Sequence, residues 1–280
     1  GNGLFVAVAW TTSTTAGIAY SRADTPLKTI YTATTTPLYP TNNGTVIGAN
    51  SINAMTYFNG QLIVAGAGGL MGSYDGYQWK AYNTISTSWN RQDIMLPKTP
   101  SYKFRQVIYA NGKYVAINAS SLASLTIFTS QDGKTWMPST IPSSTQGPVS
   151  IVYGNGLFVV LNNTVSTTTG IMTSPDGINW TFRTTTAPAS GWRSVTYGNG
   201  LFVAVAGTTS TTAGIATSPD GINWTFQTTT APGGSWRRIT YGNGLFVAVA
   251  DTNSTTAGIA TSPDGINWTF RTTTAPASGW

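Results

Sequence analysis

The segment Tyr-Gly-Asn-Gly-Leu-Phe-Val starts at Tyr153, Tyr197 and Tyr241, and Ser-Pro-Asp-Gly-Ile-Asn-Trp starts at Ser174, Ser218 and Ser262, so both motifs recur every 44 residues. A fixed period of this length restricts the chain to a repeat architecture, in which each copy is one supersecondary unit that buries its apolar face against the next. Degenerate copies carry the series towards the N-terminus: Asn111-Gly112-Lys113-Tyr114-Val115, Asn59-Gly60-Gln61-Leu62-Ile63-Val64 and Asn2-Gly3-Leu4-Phe5-Val6. The second motif has partners at Asp132 to Trp136 and Asp75 to Trp79, with an eroded copy at Ser21 to Leu27. Six units follow, with approximate bounds 1–54, 55–105, 106–149, 150–193, 194–237 and 238–280, all within a single domain 1–280.

Within one unit, Arg193 to Tyr197 and Leu201 to Ala206 are β-branched or apolar runs separated by Gly198-Asn199-Gly200. Asn-Gly between such runs is a strong hairpin signal. A second hairpin is expected to pair Gly214 to Ser218 with Ile222 to Gln227 across Pro219-Asp220-Gly221, where Pro pre-sets a negative φ, Asp bonds its own backbone and Gly takes the left-handed position. Each unit therefore reads as four strands. Leu201 to Ala206 is apolar at every position, so this strand needs cover on both faces, which stacked sheets provide. Short strands, a period in the propeller range and no helical periodicity predict an all-β fold: a β-propeller of six four-stranded blades, with seven as the alternative. Trp280 aligns with Trp192 and Trp236, each of which precedes a first strand, while Gly1 aligns with Gly198 just after one. The first blade is thus expected to lack one inner strand, and the chain, which opens at Gly1 inside a motif, reads as processed or trimmed.

The series Trp-Arg-Ser-Val-Thr-Tyr-Gly-Asn-Gly-Leu-Phe-Val-Ala-Val followed by Ile-Ala-Thr-Ser-Pro-Asp-Gly-Ile-Asn-Trp-Thr resembles repeat-propeller segments of bacterial surface proteins and phage structural proteins. The likeness is close from Ile151 to Trp280 and weakens through the first three units, whose loops are longer. Ser-Pro-Asp-Gly-Ile-Asn-Trp is also similar to a shortened Asp-box, the turn motif of sialidase-type propellers. That resemblance implies a folding element on the blade periphery and carries no implication of glycosidase activity.

Composition narrows the chemistry. There is no Cys, no His and no Glu, so all eight acidic residues are Asp. Thiolate metal sites and disulfides are excluded, and general acid–base work is left to very few groups. Five of the eight, Asp75, Asp132, Asp176, Asp220 and Asp264, sit in the repeated turns as structural residues. Asp24 lies in the eroded turn and Asp251 in a Thr-rich loop, which leaves Asp93 in the long loop after Ser88. A glycosidase would need a paired acid and a second carboxylate or Tyr nucleophile, so the chain reads as no enzyme. A calcium ion would find one carboxylate per turn where it needs several oxygen ligands, so no metal and no cofactor are expected. The net charge of +6 is carried by scattered residues, with Arg237-Arg238 the only adjacent pair, so no nucleic acid is expected as partner. No apolar run is long enough for a spanning helix, so no membrane insertion is expected either.

Aromatic residues remain. Trp180, Trp224 and Trp268 alternate with Phe182, Phe226 and Phe270 in the fourth strands, a packing pattern. Trp192, Trp236 and Trp280 fall where one unit passes to the next, on the rim that carries the long loops, and Trp89 and Trp10 are counted with them as rim aromatics. Rings at repeated rim positions either pack between blades or stack on sugar rings as several weak, multivalent pockets. The reading reached from sequence is a non-enzymatic, extracellular binding module on a virion (tail fibre or decoration) or bacterial surface, recognising host glycans or a cell-surface receptor alongside other virion or surface proteins. The alternative is a purely structural spacer or protein–protein interaction platform.

Overall fold

A computed structural model describes residues 4–8, 18–22, 52–66, 69–74, 80–81, 104–118, 127–139, 141, 147–185, 191–207, 214–227, 235–251 and 258–271. The chain divides into two compact units, Gly1–Ser120 with Ile127–Pro138, and Ser121–Thr126 with Ser139–Trp280.

All described elements are strands, paired antiparallel in chain order. In the first unit β1 (Leu4–Val8) pairs with β2 (Ile18–Arg22) as a two-stranded sheet. Two four-stranded sheets follow: β3 (Ile52–Phe58), β4 (Gln61–Gly66), β5 (Gly69–Ser73) and β6 (Lys80–Ala81), then β7 (Phe104–Ala110), β8 (Lys113–Asn118), β9 (Ile127–Ser130) and β10 (Met137–Pro138). The second unit holds three sheets: β11 (Pro148–Gly154), β12 (Leu157–Asn162), β13 (Ile171–Ser174) and β14 (Thr181–Arg183); β15 (Trp192–Gly198), β16 (Leu201–Ala206), β17 (Ile215–Ser218) and β18 (Thr225–Gln227); and β19 (Ser235–Gly242), β20 (Leu245–Asp251), β21 (Ile259–Ser262) and β22 (Thr269–Arg271). Six four-stranded sheets were expected; the described residues contain five, and the first copy is represented by its second and third strands, β1 and β2.

Local chemistry explains each sheet. The first hairpin closes through Asn and Gly that both take positive φ, Asn199 at 50° and Gly200 at 74°, and the same pair recurs at 59–60, 111–112, 155–156 and 243–244. Two positive φ values in a two-residue loop are the type I′ geometry, whose twist matches that of the strands it joins. Each first strand carries a bulge near its start, between Trp192 and Ser194 in β15 and at the matching place in β3, β7, β11 and β19. The extra residue adds local twist.

Burial follows the two-faced expectation. In β16 every residue from Phe202 to Ala206 is inaccessible to solvent. Phe202, Ala204 and Ala206 face one core with Val159, Leu161, Ile171 and Trp192, while Val203 and Val205 face another with Trp236, Ile239, Phe246 and Ala248. Alternate residues of one strand thus serve two neighbouring cores.

The contact between successive sheets of this unit is keyed. A β-carbon on Gly154 would lie 2.2 Å from the Tyr197 ring, and one on Gly198 would lie 2.1 Å from the Tyr241 ring. Only glycine leaves room for the next sheet's tyrosine. Beside that key, Ser150 Oγ accepts the Val195 N–H at 3.1 Å and Ser194 Oγ accepts the Ile239 N–H at 3.3 Å.

Candidate functional site

The repeated acidic turn closes on the same backbone bonds in four copies. At Asp176 one carboxylate oxygen accepts the Ile178 and Asn179 N–H groups at 2.8 and 2.9 Å and the Ser174 hydroxyl at 2.8 Å. The other accepts the Asn179 side-chain amide at 2.9 Å. Ser174 Oγ in turn accepts the Gly177 N–H at 2.8 Å, and the Trp180 indole donates to the Gly177 carbonyl at 3.2 Å. Equivalent bonds close the turns at Asp132, Asp220 and Asp264. Gly177 and its counterparts Gly133, Gly221 and Gly265 take the left-handed φ that the turn demands.

These bonds favour the charged carboxylate. For Asp220, burial alone would raise the carboxyl, but the Asn223 and Ile222 N–H groups with the Asn223 and Ser218 side chains outweigh it and hold the group down to about 2. Asp132 and Asp176 lie low by the same balance, and at Asp264 the Asn267 N–H is the leading cause. A carboxylate held ionised in its own turn is a poor general acid, the role that requires a raised value. Asp75 lies outside the described residues.

Among the described residues the one acidic side chain outside the turns is Asp251. Asp251 pairs with Arg237, both groups being exposed. Asp24 and Asp93 lie outside the described residues. Among the described residues no group of three acidic, His or Cys side chains converges on a point where a metal ion would sit.

The tryptophans proposed as sugar platforms have a different fate. Trp192 is 0% exposed, its ring stacked on Phe226 with centroids 5.9 Å apart and tilted against Trp224 at 6.3 Å. Trp236 is 2% exposed and lies against Phe270. Sugar stacking at these two positions is corrected: an indole enclosed on both faces offers no surface to a ligand, and the recurrence at 44 residues reflects the sheet-to-sheet core that each ring fills. Trp10, Trp89 and Trp280 lie outside the described residues.

Accessible rings are found elsewhere. In the first unit Tyr57 is 46%, Phe58 42% and Tyr74 63% exposed, all beside the tight turns rather than the long loops. Lys134 Nζ stands 5.6 Å from the Tyr74 ring centroid, within cation–π range. Phe58 stacks on Tyr109 with centroids 3.5 Å apart. Sequence reasoning missed this cluster, although one signal was available: Phe58 occupies the position that is Gly154, Gly198 and Gly242 in later copies.

No protein-family model and no curated protein matches the sequence. Solved structures do match. The chain is similar to virginiamycin B lyase from Staphylococcus aureus, with a TM-score of 0.60 at 14% identity over 81% of this chain and 71% of that one. It is similar to YCF48 bound to D1 peptide, with a TM-score of 0.54 at 18% identity over 79% of this chain and 69% of that one. It also matches the computationally designed Ika8 protein, with a TM-score of 0.56 at 10% identity, where 83% of this chain spans 64% of the designed one. YCF48 and the lyase are β-propeller-like proteins of repeated four-stranded sheets. Identities this low speak to architecture alone, and the chain shares with them an all-β, propeller-like fold of four-stranded antiparallel sheets.

Proposed function

We propose that the chain is a non-enzymatic interaction platform: a propeller of six blades, displayed on a virion or bacterial surface and binding protein rather than sugar. One observation carries the reading. The residues with chemical or ligand-binding potential in the repeat, the turn Asp and the two enclosed Trp, are engaged within the sheets that hold them. What varies between copies is the loops and the exposed aromatic cluster of the first unit. Two strands at the start, β1 and β2, in the second and third places of a repeat support the count of six. YCF48, a neighbour in fold, is seen with a peptide bound, which favours protein over glycan as the class of partner.

A glycan array probed with the 280-residue chain is expected to retain no sugar. Trp192→Ala is expected to lower stability by about 3–5 kcal/mol, read by denaturant titration, because a fully packed indole leaves a large cavity. Saturable sugar binding that disappears in Trp192→Ala while its unfolding midpoint stays unchanged would overturn the proposal and restore the glycan reading.

A further inference from the structure

Arg193 and Arg237 hold the same place in consecutive sheets, each in the bulge of a first strand. Their surroundings differ at one position. Asp251, which closes β20, accepts Arg237 Nε at 3.0 Å and takes Arg237 Nη2 on the same oxygen. The counterpart of Asp251 after β16 is Gly207, which has no side chain to offer. Arg193 Nε is shut off from solvent and has no hydrogen-bond partner. A β-carbon placed on Gly207 would lie 2.7 Å from Arg193 Nε, 3.3 Å from Arg193 Nη2 and 3.3 Å from Ser235 Oγ. Three donors thus surround the point from which the carboxylate of the next copy grows. A charged donor left unpaired away from water costs free energy, so its position calls for a partner. Arg183 and Arg271 meet the same need inside their own sheets, donating through Nε to Thr173 and Thr261 at 2.7 and 2.8 Å.

We propose that the recess bounded by Arg193, Gly207 and Ser235 is a binding site for a carboxylate supplied from outside the chain, on an Asp or Glu side chain of a partner protein. The inference rests on the interaction-platform reading and names the chemistry of its partner. The guanidinium presents its Nε and Nη2 donors as a planar fork that matches the two oxygens of a carboxylate, and the Ser235 hydroxyl donates beside it. Arg193, Gly207 and Ser235 are each half-buried. The recess is therefore sheltered enough to strengthen a charged hydrogen bond and open enough to admit a side chain. A net charge of +6 on the chain favours the approach of an acidic partner. The other two copies in this unit lack such a site for opposite reasons. Arg237 has its own acid in Asp251, and the sheet before carries Val149 where the arginine would stand.

The test follows the Nε–H signals of Arg193 and Arg237 by nuclear magnetic resonance in the 280-residue chain, with Arg193→Gln to assign the first of them. Three probes are titrated: the end-capped peptide Gly-Asp-Gly, the same peptide with Asn for Asp, and acetate. The Asp peptide is expected to move the Arg193 signal saturably, the Asn peptide to leave it in place, and acetate to move it only at higher concentration. Arg237, already held by Asp251, serves as the internal control and should stay still. Gly207→Asp is expected to bring the Arg193 signal to the position of Arg237 and to weaken peptide binding at least about tenfold, the worth of a hydrogen bond to a charged group. Asp251→Gly is expected to do the reverse, making the Arg237 signal respond to the Asp peptide. No saturable movement at Arg193, an equal response to the Asn peptide, or an equal movement of Arg237 in the unaltered chain would overturn the proposal. Equal affinity for acetate and the Asp peptide would overturn the assignment to a protein segment. Either failure leaves the glycan-array result, which bears on the platform reading, standing on its own.

Discussion

Asn199 shows how much of this fold rests on single side chains. Its φ of 50° lies in the left-handed region, where a β-carbon on most residues crowds the backbone but Asn is tolerated. Asn199→Ala is expected to destabilise by about 1 kcal/mol, and Asn199→Gly to be nearly neutral, by chemical denaturation. The turn aspartates act at the same scale through charge. Asp220 is held at about 2 when folded against an ordinary 3.8, so its carboxylate stabilises the protein fully above about pH 4 and loses that contribution as pH falls towards 2. The lowered Asp132, Asp176 and Asp264 add in the same direction. The melting temperature is therefore expected to drop steeply between these limits. A variant with Asp176→Asn, Asp220→Asn and Asp264→Asn should start lower and show a shallower drop.

Between strands, the decisive feature is the tyrosine-on-glycine key. Gly198→Ala would drive a methyl into the root of the Tyr241 ring, at Cγ and Cδ1, which cannot swing aside as a flexible chain end would. A loss of about 1–3 kcal/mol is expected, the range for overpacking. Gly242→Ala, identical in sequence context, should change the unfolding midpoint little, so the pair separates a packing cost from a backbone one. The strands themselves were legible because Asn-Gly and Asp-Gly mark both hairpins in every clear copy, and because Leu201 to Ala206 has no polar side to turn to water. The fate of Trp192 was not legible. A large ring at the start of a strand recurs whether it clamps two sheets or offers itself to a ligand, and only Phe226 and Trp224, packed against it from the far edge of its sheet, decide the matter. The exposed cluster around Phe58 was hidden for a related reason: a substitution at a notch position reads as degeneracy until the neighbouring Tyr109 is seen stacked on it.

For the molecule as a whole, repetition makes the energetics close to a sum of sheets and the contacts between neighbours. Near-identity between copies has another consequence. The strands Leu201–Ala206 and Leu245–Ala250 have the same sequence, as do Ile215–Ser218 and Ile259–Ser262, so no side chain tells a strand which of two sheets is its own. Correct pairing is then chosen by the shortness of the hairpin loops, which let partners meet before strangers do. When chains refold at high concentration that advantage shrinks, and strands exchanged between molecules would tie them into swapped oligomers of otherwise native sheets.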